Sequence, residues 1–287
     1  MSNITRLVRM PEKAAKPTVI ALHCSGATKS EWRQLQRDLG DRFTLIAPDL
    51  IGSGGTAHWT GSQPFKLSDE AAHVVSIIDA AQRPVHLVGH SYGGCVALRA
   101  AVERPTQVAS MTLYEPVAFH VLKMMGPDGK SALEAMAAIA DRIARLVSGG
   151  DHQAAAKYFF EYWSGEGSWP ALRREAQDEL VRYIPKVCLE FSAAIGERVP
   201  HYAYRGFHFP VLLLQGEHAP EPTQLVARQL AKAMRFASPQ TVYGAGHMAP
   251  ISHAAIVSAM MTDWIVRAEP RLSPVECDVK SQIDRVA

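Results

Sequence analysis

Val85-His86-Leu87-Val88-Gly89-His90-Ser91-Tyr92-Gly93-Gly94-Cys95 runs without interruption into Val96-Ala97-Leu98-Arg99-Ala100-Ala101-Val102-Glu103. A short apolar run that follows Pro84 and ends at a glycine predicts a buried strand, and the alanine-rich segment after Gly94 predicts a helix. Ser91 therefore falls in the corner between the two. Gly89, Ser91 and Gly93 form the pattern G-x-S-x-G, in which the chain turns so tightly that glycines must flank the serine and its hydroxyl is pushed out above the sheet. The plainer reading is that Ser91 only caps the helix; strand before and helix after favour the first.

Outward from this corner the same alternation repeats. Pro17-Thr18-Val19-Ile20-Ala21-Leu22 reads as a buried strand running into His23-Cys24-Ser25-Gly26, followed by a helix over 30–39 capped by Ser30. Phe43-Thr44-Leu45-Ile46-Ala47-Pro48-Asp49 is the next strand, a glycine-rich loop runs past His58 and Trp59, and 68–80 regains helical spacing. Residues 108–113 form a β-rich run ending in Tyr114-Glu115-Pro116. Pro210-Val211-Leu212-Leu213-Leu214-Gln215-Gly216 is a further strand, 222–237 a helix, and Thr241-Val242-Tyr243 a last short strand before Gly244-Ala245-Gly246-His247-Met248-Ala249-Pro250. Residues 4–10 suit an edge strand, and the tail after Ala268, with Pro270 and Pro274, a surface extension. Strands alternating with helices predict the α/β class with a parallel sheet. Between 117 and 206 strand signals stop. Leu133, Met136, Ala137, Ala140, Ile143, Ala144 and Val147 recur at helical spacing, and 154–163 and 172–184 also read as helices, broken at Gly165-Glu166-Gly167-Ser168-Trp169-Pro170.

Composition narrows the classes of function. Charges nearly cancel, at a formal net +2, and no run of like charges occurs, so neither nucleic acid nor an acidic membrane is expected as partner. The first residues lack the apolar core of a signal peptide, and no stretch has the uninterrupted apolar length of a membrane span. Cys24, Cys95, Cys188 and Cys277 are scattered without C-x-x-C spacing, which argues against a disulfide framework or a thiolate metal site. No H-E-x-x-H motif supports His247 and His253 as metal ligands. The expectation is a cytoplasmic protein with no metal and no cofactor.

Taken in order, these motifs resemble the α/β-hydrolase superfamily, over nearly the whole chain from the His23 loop to the helix after His247. The resemblance implies an α/β-hydrolase fold: a mostly parallel, doubly wound sheet, with a core of 1–116 and 207–287 and a helical cap inserted over 117–206. It also implies that Ser91 is the nucleophile, that His247 is the general base, and that the backbone NH groups of Ser25 and Tyr92 form the oxyanion hole. Cys24 stands where the family's His-Gly-x loop commonly has glycine, and Asp49-Leu50-Ile51-Gly52-Ser53-Gly54 resembles a structural Asp-x-x-Gly-x-Gly loop. The acid is a further departure. The common aspartate site after the later strand holds Ala219, whereas Glu115 occupies an alternative place that some haloalkane dehalogenases use. Glu115 is favoured; Glu217 and Glu221 compete. Phe119, Met124, Tyr158, Trp163 and Met248 are the candidate pocket residues under the cap.

The activity implied is hydrolysis of a small, fairly apolar carboxylic ester, lactone or thioester through an acyl-enzyme. A serine in the corner, rather than an aspartate, argues against dehalogenase or epoxide hydrolase chemistry. Carbon-carbon bond hydrolysis, perhydrolysis and acyl transfer use the same groups and stay open, as do a non-catalytic ligand receptor of the same fold and a homo-oligomeric state. The partner expected is a small-molecule substrate.

Overall fold

The structure is a computed structural model and describes residues 16–269; the expected edge strand over 4–10 and the proline-bearing tail lie outside the described residues. Among the described residues six strands form one sheet: β1 (Thr18–Leu22), β2 (Thr44–Ile46), β3 (Val85–His90), β4 (Val108–Tyr114), β5 (Val211–Gly216) and β6 (Ala237–Val242). Every pairing is parallel and the order is β2-β1-β3-β4-β5-β6. Successive strand residues point to opposite faces, so Ile20, Leu22, Leu87, Met111 and Leu213 bury in one layer and Val19, Ala21, Val88, Leu212 and Leu214 in the other. Helices α1 (Arg33–Leu39) and α9 (Ala254–Ala268) cover the second face. The first is covered by α2 (Leu67–Ala80), α3 (Tyr92–Glu103) and α7 (Glu221–Ala233); the one-turn α8 (Ala249–Ser252) leads into α9.

This strand order places the site. From β1 the chain goes to β2 on one side, and from β3 to β4 on the other, so the loops leaving the carboxyl ends of β1 and β3 diverge and open a crevice between them. His23-Cys24-Ser25 follows β1 and Ser91 follows β3. The corner at Ser91 has φ 53° and ψ −117°, a strained left-handed-side conformation held by Ser91 N–H to the Tyr114 carbonyl (3.0 Å) and Val117 N–H to the Ser91 carbonyl (3.2 Å). Close approach explains the glycine two residues on: a Cβ at Gly93 would stand 2.2 Å from the Leu22 carbonyl oxygen.

Between β4 and β5 lie the segment Phe119–Met124, α4 (Gly126–Ser148), α5 (His152–Ser164) and α6 (Arg174–Gly196), with no strand. Here the structure corrects the periodicity. Helix α6 does not stop at Ile184 but continues through Pro185 to Gly196. A proline forfeits one helical hydrogen bond, and burial on both sides of it, at Tyr183, Ile184, Val187 and Phe191, outweighs that loss. Further along, β6 begins at Ala237, not Thr241; it is the sheet edge, so half-exposed polar residues and Pro239 replace the apolar run that marks inner strands. The helical turn before α1 is capped by Thr28, not Ser30, with Ser30 N–H donating to Thr28 Oγ1 at 3.3 Å.

One buried ion pair fastens α6 to the core. Lys186 Nζ lies 2.7 Å from Glu70 Oε2 of α2 and 3.3 Å from Glu190 Oε1, and Tyr183 donates its hydroxyl to Glu190. Burial pushes the Glu70 carboxyl up, against the pull of the Lys186 charge and the Ile51 N–H. Removing one partner of such a pair leaves an uncompensated charge. Lys186→Met is therefore expected to cost about 3–5 kcal/mol in denaturant unfolding; a cost below about 1 kcal/mol, the range of surface pairs, would contradict it.

Candidate active site

The crevice opens into a cavity of about 770 Å³ roofed by α5 and α6 and floored by Ser91, Tyr92 and the β1 loop. At its base three side chains from distant parts of the chain form one hydrogen-bonded line. His247 Nε2 lies 2.9 Å from Ser91 Oγ, and His247 Nδ1 lies 2.7 Å from Glu115 Oε2. A carboxylate only accepts, so Nδ1 carries the proton and Nε2 is left free to accept from the Ser91 hydroxyl.

Glu115 has no solvent exposure. Like Ser91, it sits at positive φ (40°), and among the described residues these two are the non-glycine positions with that backbone. The bend turns its side chain from the end of β4 toward the neighbouring strand. There Glu115 Oε1 accepts Gly216 N–H at 2.8 Å, and the Thr223 hydroxyl lies 3.1 Å from Oε2. Burial alone would push the carboxyl up; the bond and charge of His247 and the Gly216 N–H hold it below the ordinary carboxylate range. For His247 burial dominates and lowers its pKa, with Glu115 pulling the other way. The competing acids are elsewhere: Glu217 accepts the Gly244 N–H at 2.8 Å, and Glu221 is exposed in the first turn of α7. Ala219 is buried and carries no carboxylate.

Ser25 and Tyr92 both line the cavity beside Ser91. Tyr92 opens α3, where backbone N–H groups have no partner within the helix. The loop after β1 is braced without the glycine: Cys24 N–H donates to Glu31 Oε2 (2.9 Å), Ala27 N–H to the Cys24 carbonyl (3.2 Å), and Leu50 N–H to His23 Nε2 (3.0 Å). Asp49 accepts the Lys29 N–H (2.8 Å) and so ties the loop after β2 to the same corner.

Phe119, Trp163 and Met248 line the cavity; Met124 and Tyr158 do not. Met124 is 56% exposed at the end of its short helical segment. Tyr158 lies on the flank of α5 under the Arg142 guanidinium (4.1 Å), because Phe159 and Trp163, four residues apart, take the inward face. Trp163 does more than line the wall: its ring stacks on His247 with centroids 4.1 Å apart and planes 30° from parallel. Periodicity alone gave no sign of that contact, nor of the buried pair of His90 and Glu31, in which His90 Nε2 lies 2.9 Å from the His247 carbonyl. Cys24, Glu31 and His90 meet within 4.8 Å; burial pushes the Cys24 thiol well up, and His90 Nδ1 lies 2.7 Å from Glu31.

With the fold and this geometry in view, the family follows: the chain belongs to the alpha/beta hydrolase family, whose model matches residues 19–259. It is similar to the lipase LipV of Mycobacterium tuberculosis, 35% identical over 86 residues, which is 30% of this chain and 31% of that protein, under a third of its length. It is also similar to monoacylglycerol lipase abhd6-B of Xenopus laevis, 24% identical over 87% of this chain and 75% of the relative. Among solved structures, the enol-lactonase of Burkholderia xenovorans superposes with a TM-score of 0.70 and 17% identity, over 88% of this chain and 92% of that one. Among the described residues no helix is long and apolar enough to cross a membrane.

The Trp163 stack provides a direct readout of the imidazole. An imidazolium is attracted to the indole face and quenches its emission. Titration without substrate is expected to show a fall in tryptophan fluorescence as His247 gains its proton, beginning below the ordinary imidazole range because burial lowers His247. Trp163→Phe is expected to lose this component, and an unchanged titration in that variant would contradict the assignment.

Proposed function

We propose that the protein is a serine hydrolase that cleaves a small, fairly apolar carboxylic ester, lactone or thioester, with Ser91, His247 and Glu115 as its catalytic triad. The observation that carries this reading is the hydrogen-bonded line from Glu115 through His247 to Ser91 Oγ, ending in a cavity whose walls include Phe119, Phe159, Trp163 and Phe191. Two lipases and a lactonase among the similar proteins support the substrate class.

In this mechanism Ser91 Oγ attacks the acyl carbon while its proton passes to His247 Nε2. Glu115 keeps the ring in the tautomer that can receive that proton and stabilises the imidazolium, which the Trp163 face also favours. The backbone NH groups of Ser25 and Tyr92 hold the developing oxyanion. As the tetrahedral intermediate collapses, His247 gives its proton to the departing alcohol or thiol oxygen or sulfur. Water then attacks the acyl-enzyme with His247 again as base, releasing the acid and restoring Ser91. Helices α4, α5 and α6 act as the cap that shapes the acyl site and excludes bulk water.

Intact-mass analysis after a fluorophosphonate probe, paired with turnover of short-chain aryl esters, tests this. Wild type is expected to take up one adduct that Ser91→Ala lacks. Glu115→Gln is expected to lower kcat by about 10⁴-fold by favouring the wrong tautomer, with Glu217→Gln and Glu221→Gln near wild type. Absence of an adduct on folded protein, or the reverse ranking of the three acids, would contradict the proposal.

A further inference from the structure

Directly under His247 lies a second buried acid and imidazole. His90, the residue before Ser91, has Nδ1 2.7 Å from Glu31 Oε1 and Nε2 2.9 Å from the backbone carbonyl of His247. Both side chains of the pair are fully buried. A carbonyl can only accept, so Nε2 donates; with Glu31 ionised Nδ1 donates as well and the ring carries both protons, whereas a neutral pair would put that proton on Glu31 Oε1. The other oxygen of Glu31 accepts the Cys24 N–H at 2.9 Å, and against its burial the His90 ring and this N–H hold the Glu31 carboxyl below the ordinary carboxylate range, which favours the ionised form.

Three loops meet at this pair. Glu31 holds the β1 loop that carries Ser25. His90 is covalently next to Ser91. Its Nε2 holds the loop that carries His247, whose Gly246 carbonyl is gripped by the Tyr114 hydroxyl at 2.8 Å. The titratable groups facing His90 are Glu31, Cys24, Tyr114 (rings 5.6 Å apart, edge to face), His247 (rings 5.2 Å apart) and, beyond His247, Glu115. We propose that His90 is a buried imidazolium paired with Glu31, and that this pair is a positioning device that fixes the nucleophile, base and oxyanion loops relative to one another while presenting its positive end to His247. The proposal deepens the hydrolase reading and rests on it for its kinetic consequences, but not for the charge state of His90.

The charge has a direction. Glu31 lies on the far side of His90, so the end of the pair nearest His247 is positive and disfavours an imidazolium there; this agrees with His90 lowering and Glu31 raising the His247 pKa. Glu31→Gln is the informative variant, because the amide can donate to a neutral His90 Nδ1 and accept the Cys24 N–H, keeping the bonds and discharging both groups. Glu31→Ala removes the bonds as well.

Nitrogen NMR of histidine-labelled protein, without substrate, reads the first claim. The wild type is expected to show two attached protons on the His90 ring, and Glu31→Gln one. A single proton on His90 in the wild type would put the proton on Glu31 and overturn the charged pair, whether or not the protein hydrolyses esters. Ester kinetics read the second. In Glu31→Gln the acid limb of kcat/KM is expected to move up by about half a pH unit, as His247 protonates more easily. In Glu31→Ala kcat is expected to fall about tenfold to a hundredfold with KM little changed, as misaligned loops lose orientation, and Glu31→Gln recovers most of that loss. Equal kcat in wild type and Glu31→Ala, or no shift of the limb in Glu31→Gln, would overturn the positioning role.

Discussion

A carboxylate with no solvent exposure is sustainable only if its oxygens are answered by donors, and at Glu115 that requirement organises the molecule. Oxygen Oε1 takes the N–H at the end of β5, and Oε2 meets both the His247 ring and the Thr223 hydroxyl of α7. To reach them the chain leaves β4 with an unfavourable positive φ, held by Glu115 N–H to the Leu214 carbonyl at 3.0 Å. β4 and β5 must therefore be neighbours in register, and the loop after β6 must return over them to deliver His247. Glu115 sits one strand nearer Ser91 than the β5 loop, which carries Ala219.

The helical insertion is bound into the same system from above. Lys186 pins α6 to α2 through a buried charge, and α5 lays Trp163 over His247 with the ring planes 30° apart. Glu70, which receives Lys186, also accepts the Ile51 N–H of the loop after β2 at 2.7 Å. The cavity floor and its roof are thus joined at a few buried polar points inside an otherwise apolar interface. On the proposed reading, substrate selection and base positioning share residues, so a change in the wall near Trp163 reaches the imidazole as well as the bound acyl group.

Much of this was legible in the chain because the signals were local. The corner at Ser91 announces itself by glycines that backbone approach demands, and the inner strands by continuous apolar runs that a sheet covered on both faces requires. What was not legible depended on distance or on context. The helical reading ended at Ile184, and burial of the residues on both sides of Pro185 carries α6 onward. β6 was cut short because an edge strand needs no apolar run. Met124 and Tyr158 read as pocket residues because helical spacing gives a face without saying which face turns inward. Glu31 and His90 are 59 residues apart, and neither belongs to a pattern until the fold brings them together.

The most direct test of the account is a crystal structure of the protein phosphonylated by a fluorophosphonate, since the tetrahedral phosphorus mimics the intermediate at the reacting centre. The account predicts phosphorus bonded to Ser91 Oγ, its oxygen within hydrogen-bond distance of the backbone nitrogens of Ser25 and Tyr92, and His247 Nδ1 still on Glu115. Phosphorus on another side chain, an oxygen turned away from Ser25 and Tyr92, or His247 swung to Glu217 or Glu221 would contradict it.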